Sequence, residues 1–146
     1  HIAHVRAGKL RSIQQTGSKD IDAGGGKIMP SVGNFLPGIK NQLPFSGIYN
    51  LAVRRSVPKA IIGKIEKAFV AGVNSPAFAA IAKKKFFEID IRTGKAADRR
   101  AAQVESITAA TFEKLGVKGS HAGSELGLPT PAGFDKWWPP HGYKPL

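Results

Sequence analysis

Few side chains in this sequence are spaced to do chemistry. His1 and His4 stand three residues apart, as two metal ligands on one helix face can. No carboxylate or cysteine lies close enough in sequence to complete a coordination shell, so they read as helix-surface histidines. Glu88 and Asp90 would point the same way from a strand, like an acid–base pair, but solvent-facing charge on an edge strand accounts for them better. Gly24-Gly25-Gly26 has the glycine density of a phosphate loop without the Gly-Lys-Ser/Thr ending that opens a helix. His121 and His141 lie in the C-terminal stretch with no partner in view, and there is neither a Gly-x-Ser-x-Gly elbow nor a Cys/His arrangement. Nothing in these residues argues for an enzyme, and no metal or cofactor is expected.

Composition narrows the class. A chain of 146 residues that is 42% hydrophobic is long and apolar enough to bury a core. The absence of cysteine excludes a disulfide scaffold, a zinc ribbon and thiol catalysis. No apolar run approaches the roughly 20 residues that span a bilayer. His1 opens in what looks like mid-helix, so the sequence reads as a mature or truncated product. The net charge of +12 would attract nucleic acid, anionic lipid or small anions. Its basic residues are dispersed, however, and Lys83-Lys84-Lys85 falls where a helix ends, a position the helix dipole favours for cations.

The elements follow from local pattern. A helix end at residues 1–8 leads into a weak strand over 10–16, where Gln14 and Gln15 occupy positions that should be apolar. Residues 17–27 read as a glycine-rich loop, and Ser31 as the cap of a single turn over 32–35. The extended run 42–53 reads as a buried strand, with Pro44 confining its start to an edge or bend. Pro58 then opens a helix with the stripe Ile61, Ile62, Ile65, Phe69 and Val73. Ser75 and Pro76 start a second helix with Phe78 and Ile81 facing in, and residues 86–92 alternate as a half-buried strand. Thr93 caps a third helix with the stripe Ala97, Ala101, Val104, Ile107, Thr111 and Leu115, which Gly116 ends. From Val117 onward glycine and proline crowd together, and the tail reads as an extended arm that Trp137 and Trp138 anchor to this domain or to a partner subunit.

Four pieces, in this order, resemble the substrate-binding receptors of tripartite tricarboxylate transporters, the TctC or Bug family. They are His4-Val5-Arg6-Ala7-Gly8-Lys9-Leu10-Arg11; Pro30-Ser31-Val32 with Leu36-Pro37-Gly38-Ile39; Ser46-Gly47-Ile48 through Leu51-Ala52-Val53-Arg54-Arg55-Ser56-Val57-Pro58; and the closing helix, Ser75-Pro76 helix, strand and Thr93-capped helix. The resemblance covers about residues 1–116. It implies an α/β fold, part of a periplasmic-binding-protein-like two-lobe architecture, here a strand-helix-helix-strand-helix unit with an extended C-terminal arm. It implies residues 1–40 as a remnant of the second lobe with its crossover and 41–116 as the α/β lobe; residues 117–146, the arm, are extra to the family pattern.

The function implied is periplasmic capture of small carboxylates for uptake through membrane permease subunits. Phe45, Ser46 and Gly47 would border the cleft, as a wall, a hydroxyl and a closely approaching N–H; each is equally at home as ordinary strand packing. The family's first half is absent, so the chain should contribute half a site. Its missing partner would be that N-terminal half or a second copy, and the Trp137-Trp138 arm offers a route to a homo-oligomer. From the residues alone, the competing class is a basic module that binds nucleic acid or an acidic protein surface.

Overall fold

The computed structural model describes residues 2–45 and 47–145. His1 and Ser46, both singled out above, lie outside the described residues. The chain mixes helix with a small amount of strand and divides into two units. One comprises His1–Ala52 with Ser75–Ile89, the other Val53–Asn74 with Asp90–Leu146.

In the first unit, helix α1 (Ile2–Arg6) covers an antiparallel hairpin of β1 (Ile21–Gly24) and β2 (Lys27–Met29). Val5, Ala23 and Met29 form its buried core, with Ile2 and Ile21 against them. The hairpin corrects the loop expected over 17–27. Gly25 and Gly26 both take positive φ, 65° and 71°, the backbone that a two-residue turn between twisted strands needs and that glycine supplies without steric cost.

The expected strand over 10–16 shrinks to an isolated parallel bridge between Gln15 and Ser31. Gln15 N donates to Pro30 O at 2.8 Å and Val32 N to Gln15 O at 2.8 Å. Its neighbour Thr16 bonds in the other direction, accepting from Phe45 N at 2.8 Å and donating its hydroxyl to Phe45 O at 2.6 Å. Gln15, out of place by hydropathy, earns its position through its amide, which donates to Lys19 O at 2.6 Å and accepts from Gly17 N. Ser31 caps a short 3-10 turn, Val32–Asn34, as its position predicts, and a second turn follows at Pro37–Gln42. Leu43 is buried against the first turn, where Gly33 leaves it room.

Helix α2 (Lys59–Val73) and helix α3 (Pro76–Lys85) form where the sequence places them. Pro58 sits just before α2, with ψ 136° outside the helical range, rather than at its first position. Ser75 accepts from Phe78 N at 3.2 Å and caps α3 as expected. The expected buried faces differ. No described residue of α2 is fully buried, and on α3 it is Ala82 that is buried while Ile81 faces water.

The strands expected over 42–53 and 86–92 do not form among the described residues. An extended run makes a strand only when a neighbouring strand takes up its backbone groups, and neither stretch has one among the described residues. Phe86 instead turns into the left-handed region at φ 58° and ends α3, with Phe87 and Ile89 substantially exposed. Among the described residues the hairpin is the sole sheet.

In the second unit, helix α4 (Gly94–Leu115) is the long element. Thr93 precedes it without a side-chain capping bond, and Gly116 ends it at φ 62° as expected. The residues it buries are Arg100, Ser106 and Ala109, whereas Ala101, Thr111 and Leu115 of the expected stripe are exposed. The C-terminal stretch sets this face. It is folded rather than extended, with a 3-10 turn at Pro131–Gly133 running into helix α5 (Phe134–Trp137). Ser106 Oγ donates to Pro129 O at 2.7 Å, Gly123 lies against Ala109, and Phe134 is 2% exposed. Trp137 and Trp138 pack with Phe134 and each other, and Trp138 with Tyr143 at 5.0 Å between ring centres.

Candidate functional site

Phe45 is held by backbone. Its N–H and carbonyl are both engaged by Thr16, so the segment leaving it starts from a fixed point. Gly47 lies beyond, with open space where a side chain would stand. Ser46, between them, is outside the described residues.

A concavity in the first unit was not anticipated. It is a cleft of about 490 Å³ whose lining includes Arg6, Lys19, Lys83 and Phe86 together with Asp20, Asp22 and Glu88. Phe45 and Gly47 do not line it. Its carboxylates are exposed, and each accepts a hydrogen bond from the protein. Asp20 accepts from Ser31 N and Asn34 Nδ2, both at 2.8 Å, and Asp22 accepts from Gly24 N at 2.7 Å. Glu88 accepts from Ser18 N at 3.0 Å and from the Ser18 hydroxyl.

The cations of this cleft are less committed. Arg6 Nε donates to Ala23 O at 2.6 Å while its guanidinium lies 5.7 Å from the Phe86 ring. Lys19 and Lys83 make no ion pair among the described residues. Phe86 pays for this arrangement with a left-handed backbone, secured by its N–H on the Ala82 and Lys83 carbonyls. Local pattern assigned Lys83 to the helix dipole and gave Arg6 no role, because α1 and α3, which carry them to one cleft, lie far apart in sequence.

In the second unit the polar grouping is Arg55, Asp98 and Tyr143. Arg55 donates to Asp98 at 3.1 Å and to Lys144 O at 2.8 Å, with its guanidinium 5.7 Å from the Tyr143 ring. The Tyr143 hydroxyl donates to the same Asp98 oxygen at 2.7 Å. Desolvation, followed by the bond to Asp98, raises the Tyr143 pKa above its ordinary value. Burial, followed by repulsion from Arg92, lowers that of Arg100. This grouping ties down the C-terminal stretch.

The remaining candidates separate. Asp90 pairs with Arg92 at 2.7 Å, so its oxygens and those of Glu88 are spent on different partners. His121 pairs with Glu125 at 3.1 Å, and His4 and His141 are exposed. Among the described residues no group of three His, Cys, Asp or Glu side chains is placed to hold a metal, and no helix is long and apolar enough to cross a membrane. Comparison with family models, with curated proteins and with solved structures found no match.

Proposed function

We propose that this chain is part of a periplasmic solute receptor of the tripartite tricarboxylate type, non-enzymatic, that captures small carboxylates for uptake. On this reading it supplies one wall of a two-lobe trap of the periplasmic-binding-protein kind, and the loaded receptor docks on membrane permease subunits. Support comes first from the ordered resemblance of four sequence pieces over residues 1–116. The observation that carries the reading is the bracketing of Gln15-Thr16 by Pro30–Val32 through one set of backbone bonds and by Phe45 through another. That arrangement secures the start of the Phe45–Gly47 segment and leaves Gly47 beside open space, where an N–H can meet a carboxylate oxygen.

The test is an amide-resolved NMR titration of the full chain with succinate, malate and citrate. Saturable shifts are expected at residues 45–47, with affinity no better than about millimolar because a single wall gives few contacts. Shifts confined to other residues would overturn the reading. The net charge of +12 favours one competitor, a nucleic-acid-binding module, which a duplex DNA titration separates. Specific competition would show affinity falling by about a decade per few phosphates neutralised as salt rises from 50 to 200 mM, roughly the range over which counterion release acts. Tight binding of that kind without carboxylate shifts would replace the receptor reading.

A further inference from the structure

The cleft of the first unit holds charges of both signs apart. Arg6, Lys19 and Lys83 line it together with Asp20, Asp22 and Glu88, yet no ion pair joins the two sets among the described residues. Glu88 spends both oxygens on Ser18, whereas Asp20 and Asp22 accept only through Oδ1 and keep Oδ2 without a partner among those residues. Arg6 is held at one end of its guanidinium. Its Nε donates to Ala23 O, and it packs over Gly24, where a Cβ would come within 3.2 Å of that nitrogen. Its two Nη groups bond to no described residue. Phe86 stands at the C-cap of α3 with φ 58°, a backbone that glycine takes without cost and a bulky residue does not. What the phenylalanine adds is a ring beside Arg6, and with Ile21, Ala82 and Phe87 it gives the cleft an apolar wall.

We propose that this cleft binds a free amino acid with an apolar, preferably aromatic, side chain. The α-carboxylate meets the Nη groups of Arg6, with Lys19 and Lys83 adding positive potential, and the α-ammonium meets the free oxygens of Asp20 and Asp22. The side chain lies against Phe86 and Phe87. The charge balance of the lining selects this class. Its three cations and three carboxylates cancel, so a phosphate or a dicarboxylate gains from the first set what it loses to the second. A zwitterion, carrying both charges on neighbouring atoms, gains from each set. The volume of about 490 Å³ suits a ligand of that size, and an apolar wall penalises a polar side chain left without partners.

The inference does not rest on the receptor reading, since its shifts fall on residues 6, 19–24 and 82–88 rather than 45–47. Amide-resolved NMR titration of the full chain with L-phenylalanine should saturate there with a Kd of about 0.1–1 mM, the scale for so small a ligand in an open cleft. 3-Phenylpropionate lacks the ammonium and phenethylamine lacks the carboxylate. Each should bind at least about tenfold more weakly, the loss of one charge-assisted bond. Asp20→Asn combined with Asp22→Asn keeps both Oδ1 acceptors and removes the charge, so this double variant should bind phenylalanine no better than phenylpropionate. Phe86→Gly suits the left-handed C-cap, so it should fold at least as stably as wild type while weakening phenylalanine binding about tenfold. A chain without saturable shifts in the cleft, one that binds phenylpropionate as tightly as phenylalanine, or one whose affinity survives Phe86→Gly overturns the proposal.

Discussion

Ser31 shows how much one small side chain can hold. It is 1% exposed, and its hydroxyl donates to Gly17 O at 2.7 Å while accepting from Gly33 N at 3.2 Å. Its own N–H reaches Asp20 at 2.8 Å. Ser31→Ala keeps the last of these and strips a half-buried carbonyl and a buried N–H of partners. It should lower the unfolding free energy by about 1–3 kcal/mol, read as a fall in urea midpoint at unchanged slope. A loss within about 0.5 kcal/mol would mean that water replaces the hydroxyl at little cost. The capping half of this role was legible in the sequence, since a cap acts on the residues just after it. The bond to Gly17 was not, because it spans a hairpin that local pattern read as a loop. Gln15 makes the same point: its amide looked misplaced until the loop it organises was folded beside it.

At the scale of elements, the three long helices were readable and their buried faces were not. Caps and breakers are short-range chemistry, and Ser75, Pro76 and Gly116 act where the pattern put them. Ser75→Ala should cost about 1 kcal/mol by thermal or urea unfolding, and Ser75→Gly only a few tenths, because glycine satisfies the cap backbone without the side-chain bond. Equal losses in the two variants would show that the capping bond carries none of the effect. Helix α4 gives the opposite lesson. Its apolar stripe pointed to Ala101, Thr111 and Leu115, yet the C-terminal stretch settles over Arg100, Ser106 and Ala109. A serine wins a buried position because it can bond the Pro129 carbonyl that arrives there. Period alone cannot anticipate a polar partner more than twenty residues away. The two stretches read as strands, 42–53 and 86–92, fail for the related reason that a strand is a property of a pair.

For the molecule as a whole, the C-terminal stretch is a long-range closure, and alkaline pH should loosen it. Tyr143 sits 45 residues from Asp98 in sequence, and its folded pKa is raised above the ordinary 10.0 by desolvation and by its bond to that carboxylate. A raised folded value means the native state holds the proton longer than the unfolded chain does. The stabilisation is therefore complete below the unfolded value and is lost as pH rises from there through the folded value. Comparing urea midpoints at pH 8 and pH 11, wild type should lose more stability than Tyr143→Phe, which has no proton to release. Equal losses would show that the closure is insensitive to this hydroxyl.

Charge, the lack of thiols, the helix starts and stops and the serine caps could all be read from the order of the residues, because each acts within a turn or two of itself. Folding alone settled which segments flank Gln15 and Thr16, which side of α4 is covered, and that Arg6, Lys83 and Phe86 meet around one cleft. Those outcomes depend on contacts between residues tens of positions apart. There the choice among apolar or polar partners is made by whichever backbone arrives with unsatisfied groups, and no local period records that.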